Sequence, residues 1–119
     1  MDNEENAKPY DLEERTAVFA QQSRDLVKRL PRTIGNIEDA KQFIRASGSV
    51  GANYIEANES IGKKDFLMKI KTCRRETKES RYWLRLLDVD GDLEDQRQQL
   101  SAEAQELTNI FGAILRKCE

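Results

Sequence analysis

The sequence predicts an all-α fold, an antiparallel up-down-up-down four-helix bundle. Three observations carry that prediction. Apolar and small residues recur at three- and four-residue spacing over four separate stretches, the mark of one-faced helices. Only two prolines occur in 119 residues, and Leu, Ala, Glu, Lys, Arg and Gln are prominent, a mix that favours helix over sheet. The breaks between the periodic stretches are roughly five or six residues long, which sets each helix beside its predecessor and reversed. The length fits one domain. Residues 1–10 read as a flexible N-terminal tail and 11–119 as the bundle, with helices at about 11–30, 37–60, 65–88 and 92–117.

In the first helix, Asp11 reads as the N-cap and Glu14 as its capping-box partner. Leu12, Thr16, Phe19, Ser23, Leu26 and Leu30 form a seam with two polar interruptions, and Pro31 ends the helix. Asn36 reads as the cap of the second helix, with Glu38 and Asp39 well placed against its dipole. Ile37, Ala40, Ile44, Ser47, Gly51 and Tyr54 line one face, with Phe43, Val50 and Ala57 beside it. Gly48, Gly51 and Ala52 lie inside this helix. An interior Gly costs about 1 kcal/mol, so a neighbour's backbone is expected to approach closely there.

The run SIGKK turns the chain into the third helix, with Asp65 near its cap. Phe66, Ile70, Cys73, Thr77, Ser80, Leu84 and Leu87 keep the three-and-four spacing. DVDGD closes the helix, and Gly91 is expected to take a left-handed C-terminal conformation. Asp92 reads as the cap of the fourth helix, with Asp95 three residues on. Leu93, Arg97, Leu100, Ala104, Leu107, Phe111 and Ile114 form its seam, which Leu115 widens.

Composition removes several classes of function. There is no histidine, which excludes Ser-His-Asp and Cys-His nucleophilic arrangements and removes the commonest metal ligand. Cys73 and Cys118 make neither a disulfide framework nor a metal-ligand pair and read as buried or incidental thiols. DVDGD looks like the start of a calcium loop, but its Gly comes too early and the twelfth position is Gln99. No phosphate-binding Gly loop, nucleophile elbow or dinucleotide fingerprint occurs, so no cofactor and no enzymatic activity are expected. No stretch approaches the roughly 20 apolar residues of a membrane span. The acidic, polar start is unlike a signal peptide, and a cytoplasmic location is expected.

The net charge of −2 gives no global nucleic-acid signal, yet the charge is unevenly spread. Residues 63–85 hold nine Lys/Arg against Asp65, Glu76 and Glu79, a local +6. Lys71, Arg74, Lys78, Arg81 and Arg85 form a stripe centred about 100° from the apolar seam. Two readings stay open. In one the stripe is an RNA-backbone or anion surface, since phosphate contacts need only positioned cations. In the other it is a solvated face, or pairs with acidic residues such as Asp88 to Asp95, on another subunit included. Tyr82 and Trp83 are the aromatics available for base stacking, and Trp83 reads as packing at a helix crossing or subunit contact. Asn53 and Glu56, with Glu76 and Glu79, are candidates for a carboxylate metal site. Their plainer role is polar locking, with a Glu pairing to Arg74, Arg75 or Arg81 to fix register. Leu67, Met68, Trp83 and Leu86 lie off the third helix's seam and would suit a subunit interface.

At the second and third helices the sequence resembles a known family. Gln42, Arg45 and Ser47 lead into Ser49-Val50-Gly51-Ala52-Asn53-Tyr54-Ile55-Glu56, and Asp65-Phe66 leads to Arg75-Glu76-Thr77-Lys78-Glu79-Ser80-Arg81-Tyr82-Trp83-Leu84. These are similar to the S-x-x-x-N-x-x-E and E-x-x-E-[ST]-x-x-W-L patterns of the small bacterial four-helix-bundle proteins named for reading frames in 23S rRNA intervening sequences. On this resemblance Ser49, Gly51, Asn53, Glu56, Glu76, Glu79 and Trp83 are motif residues of helix packing. The resemblance implies a homopentamer without enzymatic activity. Accessory proteins of diversity-generating retroelements look like relatives, in which a basic pentamer surface serves a reverse transcriptase and its RNA. This chain differs from that branch in being slightly acidic overall. Self-association and a nucleic-acid partner, RNA or a reverse transcriptase, are the expectations that follow, with a purely structural scaffold as the alternative.

Overall fold

The computed structural model describes residues 3–118, with side chains from Asp11 onward. Four helices follow one another: α1 (Asn3–Lys28), α2 (Ile34–Asn58), α3 (Lys63–Leu86) and α4 (Gly91–Cys118). Side-chain contacts fix their directions. Thr16 lies against Gly51 and Arg24 against Gly48, so α1 and α2 run oppositely. Lys69 meets Glu56 and Arg45 meets Glu79, which gives the same sense for α2 and α3. Arg81 reaches Ser101 and Gln105 from α3 to α4, while Arg74 lies over Gly112. Arg15 with Glu103 and Arg29 with Gln96 close the ring between α1 and α4. The expected up-down-up-down bundle is therefore the fold.

Phe19, Leu26, Phe43, Val50, Ile70, Leu84, Leu107 and Phe111 are fully enclosed at its centre. Burying each such side chain contributes about 1.5–3 kcal/mol. Tyr54 packs on Phe111 with ring centroids 6.2 Å apart. Most polar interruptions of the seams share one solution. Thr16, Ser23, Thr77, Ser80 and Thr108 are buried, and each hydroxyl donates to the carbonyl four residues back at 2.7–2.8 Å. A buried hydroxyl satisfied this way carries no unpaired donor into the core.

Several local expectations are corrected. α1 starts at Asn3, so exposed Asp11 sits within the helix and does not cap it. Met1 and Asp2 lie outside the described residues. Thr33, not Asn36, caps α2, its hydroxyl accepting from the Asn36 N–H at 3.1 Å. The α2 face is centred on Phe43 and Val50 because α2 packs against both α1 and α3, and Ile37 is left 38% exposed. α2 ends at Asn58 and α3 at Leu86, each two residues short of expectation. α3 begins at Lys63, entered through Gly62 at φ 90° with no side-chain cap, so Asp65 serves in the first turn instead. Gly91 opens α4, and Gly62 is the single positive-φ residue among those described. The end of α3 is closed by Arg97, whose guanidinium donates to the carbonyls of Leu87 at 2.5 Å and Arg85 at 3.4 Å. Asn36 ties the α1–α2 and α3–α4 links together. It donates to Pro31 O and Asp88 O at 2.9 Å each and accepts from Asp88 N at 2.8 Å.

Candidate functional site

The two flanks of α3 treat their charges differently. On the α2 flank every basic group near the interface has an acidic partner. Lys69 Nζ meets Glu56 at 2.7 Å, a hydrogen bond that raises the lysine's pKa. Arg45 lies 3.3 Å from Glu79 and 3.5 Å from Glu76, and Arg75 lies 3.7 Å from Glu76. Glu76 is buried, and its Oε1 faces the Arg45 charge without a hydrogen bond. The expected polar lock exists, but Arg45 of α2 makes it across helices. Of the three candidate partners on α3, Arg75 takes part, while Arg74 and Arg81 face the other way.

On the α4 flank lies an open cleft of about 690 Å³. Arg74, Lys78, Arg81, Tyr82 and Arg85 form the α3 wall. Gln98, Ser101, Gln105 and Asn109 form most of the α4 wall, and among the described residues no carboxylate lines the cleft. Arg81 donates to Ser101 Oγ at 3.2 Å and to Gln105 Oε1 at 2.6 Å, and Gln105 donates to Asn109 at 3.0 Å. Arg74 Nε is buried, without an acceptor among the described residues. A Cβ on Gly112 would sit 3.4 Å from that nitrogen and 3.5 Å from Arg116 Nη1, so two guanidinium groups converge over this glycine. Among the described residues, none of Lys71, Arg74, Lys78, Arg81 and Arg85 makes an ion pair. Lys71 belongs elsewhere: it borders a shallow patch with Lys63, Lys64, Leu67 and Met68 at the far end of α3. Arg97 also reaches the cleft, though it is already engaged by Glu94 at 2.7 Å and by the α3 carbonyls. The Gln98 amide, with Arg97 second, holds the Glu94 carboxyl below its ordinary pKa.

The motif residues are mostly internal to their helices. Ser49 donates to Arg45 O at 2.9 Å and Asn53 to Ser49 O at 2.8 Å. Gly51 admits Thr16, and Trp83 is half-buried on the core with Tyr82 edge-on to it at 5.2 Å. Glu56, Glu76 and Glu79 are held by cations and form no convergent metal-ligand group among the described residues. Cys73 is enclosed, and burial pushes its thiol up to about 12. What the cleft offers is fixed positive charge, neutral hydrogen-bonding groups and one exposed aromatic ring, which suits anion binding.

The α4 wall is what sequence reasoning missed, whereas Tyr82, one of the two stacking candidates, does line the cleft. A signal exists: Gln98, Ser101, Gln105, Asn109, Gly112 and Arg116 recur at three- and four-residue spacing, a neutral polar stripe that continues to a second arginine. Attention to charged residues alone passes over it.

A model of the 23S rRNA-intervening sequence protein family matches residues 10–113. Among solved structures, one similar chain is a protein of unknown function from the S23 ribosomal protein family of Bacteroides thetaiotaomicron. It is 24% identical, with a TM-score of 0.72 over 87% of this chain and 96% of that one, and it shows the shared fold. No curated protein matches. With the profile covering nearly the whole bundle, the chain belongs to the 23S rRNA-intervening sequence protein family.

Proposed function

We propose that the protein is a non-enzymatic, self-associating interaction module that binds RNA, free or carried by a nucleic-acid enzyme, through the α3–α4 cleft. The observation that carries this reading is the asymmetry of α3. Its α2 flank pairs its charges, whereas Arg74, Lys78, Arg81 and Arg85 share one cleft that no carboxylate lines among the described residues. Like charges held together are unfavourable alone and become favourable with a polyanion, which gains from counterion release. Exposed Ile34 (84%), Ile61 (92%) and Met68 (59%) support self-association, and the family resemblance suggests a pentamer.

Replacing Arg74, Lys78, Arg81 and Arg85 by Gln tests the cleft. Four phosphate contacts on a single strand predict a slope of log K against log salt near roughly −3 for the wild type, falling towards zero in the variant. Gln at Lys63, Lys64 and Lys71, outside the cleft, should leave most of the slope. Absence of salt-dependent retention of RNA by the wild type would end the proposal. A second reading has its own observation, an acidic groove between α1 and α4 lined by Asp25, Asp92 and Asp95. If the cleft docks on that groove of a neighbouring subunit, the same four substitutions lower the mass measured by light scattering.

A further inference from the structure

The α3–α4 cleft has a shape and a chemistry that a uniform basic surface lacks. It is concave, bounded by two antiparallel helices, and about 690 Å³ in volume. Pockets of roughly 300–1,000 Å³ enclose small organic ligands, so this one has room for a nucleotide or two and none for a double helix. Duplex RNA is read by protein elements laid across its minor groove and backbone, which a recess between helices cannot provide. The two walls are also unlike. Arginine and lysine stand on α3; α4 presents neutral amides and hydroxyls, with Arg97 at one end already engaged by Glu94 and the Leu87 carbonyl. Backbone phosphates need the first kind of group, and the edges of unpaired bases need the second. Tyr82 lies on the cleft wall, 54% exposed, with its ring braced edge-on by Trp83. A braced, exposed ring is a stacking platform whose own ordering is already complete.

We infer that the cleft selects single-stranded over duplex nucleic acid, with phosphates on the α3 cations, one base stacked on Tyr82 and base edges on the α4 amides. The inference rests on the proposed RNA-binding reading and narrows it. Eight residues of α3 separate Arg74 from Tyr82, about 12 Å of rise, the span of roughly two nucleotides of an extended strand. The strand's end near Arg74 meets the convergence of Arg74 and Arg116 over Gly112. There a phosphate oxygen supplies the counter-charge that the Arg74 guanidinium lacks among the described residues.

The test compares fluorescently labelled oligo-uridine of about 12 nucleotides, oligo-thymidine of the same length, and a duplex RNA hairpin whose G·C-rich stem of about 12 base pairs stays paired at low salt. Binding is followed by anisotropy at low salt for the wild type, Tyr82→Ala and Tyr82→Phe. The single strands should bind at least tenfold more tightly than the duplex. Tyr82→Ala should weaken single-strand binding by roughly tenfold with an unchanged salt slope, and Tyr82→Phe by less than about twofold. Trp83 is the sole tryptophan, so quenching of its fluorescence by the unlabelled single strand gives an independent readout of a base at Tyr82. Oligo-thymidine binding as well as oligo-uridine would extend the ligand class to DNA; weaker binding would restrict it to RNA. Duplex binding equal to or tighter than single-strand binding, or no loss in Tyr82→Ala, overturns the inference while leaving RNA binding standing. Failure of all three probes to bind the wild type removes both.

Discussion

Gly51→Ala pits two magnitudes against each other. Helix propensity alone predicts a gain, because Ala is about 1 kcal/mol better than Gly in a helix interior. The packing predicts a loss. A Cβ at Gly51 would lie 2.8 Å from Thr16 Oγ1 and 3.3 Å from Thr16 Cβ, where ordinary contacts are about 3.5–4.0 Å. Thr16 cannot easily yield. It is fully buried, and its hydroxyl donates to Leu12 O at 2.8 Å and Glu13 O at 3.1 Å. Relief requires α1 and α2 to separate, and such overpacking costs about 1–3 kcal/mol. The expected net is a destabilisation of about 1 kcal/mol, or a Tm lower by about 5 °C at fixed protein concentration. Far-UV circular dichroism through thermal and urea unfolding measures it. Two further variants isolate the cause. In a Thr16→Ala background the clash with Oγ1 is gone, so Gly51→Ala should be neutral or stabilising, a coupling of about 1–2 kcal/mol. Gly48→Ala meets only the flexible tip of Arg24 at 3.1 Å and should stabilise by about 0.5–1 kcal/mol. A Gly51→Ala protein with a higher Tm, or no coupling to Thr16, refutes the close approach as the reason for glycine.

Gly62→Ala should cost about 2 kcal/mol in urea unfolding although nothing lies within 4 Å, because φ 90° with ψ 160° is a region few residues but Gly enter. Asn36→Ala should cost about 2 kcal/mol, since it removes three bonds between two inter-helix links, and hydrogen exchange should quicken at the Asp88 amide. In native protein a thiol reagent should modify Cys118 readily and Cys73 only through unfolding. Burial raises the Cys73 pKa to about 12, so its contribution to stability is complete below the unfolded value near 8.5. It is lost as pH rises from there towards 12, because only the unfolded chain sheds the proton. Cys73→Ala should flatten that alkaline loss relative to the wild type.

Periodicity made the bundle legible because each helix must bury one face and polar residues cannot share it without a partner. The α3 and α4 seams hold along their length for that reason, from Ile70 to Leu87 and from Leu93 to Phe111. The small buried hydroxyls were readable as seam positions too, since spacing places Thr16 and Ser23 whatever their polarity. Caps were less legible. Thr33, Asn36, Asp90, Gly91 and Asp92 all carry turn chemistry, and the choice among them depends on tertiary contacts such as the Asn36–Asp88 tie, which joins residues far apart in sequence. The face of α2 was misplaced for a related reason. A helix packed on two neighbours has a broad apolar face, and its centre is set by both contacts together.

The stripe itself was visible at helical spacing, but its division into paired and unpaired cations was not. Arg75 and Arg74 are adjacent in sequence and point about 100° apart, which suffices to send one towards Glu76 and the other over Gly112. A helix's own sequence cannot report this, because the partners come from other helices. Arg45 of α2 takes the Glu76 and Glu79 carboxylates that would otherwise sit beside α3's own cations. Arg45 therefore acts on a cleft it does not touch: by holding those carboxylates on the α2 flank, it keeps them from screening Arg74, Lys78 and Arg81. Arg45→Gln should leave the cleft's residues intact while removing the positive charge that offsets Glu76 and Glu79, so that α3 carries more uncompensated negative charge beside the cleft. RNA affinity should then fall modestly, by roughly two- to fivefold at low salt, with the difference vanishing at high salt where exposed charges no longer see one another. An affinity unchanged at low salt would mean that the two flanks of α3 are electrostatically independent, and that the stripe owes its free charge to the cleft alone.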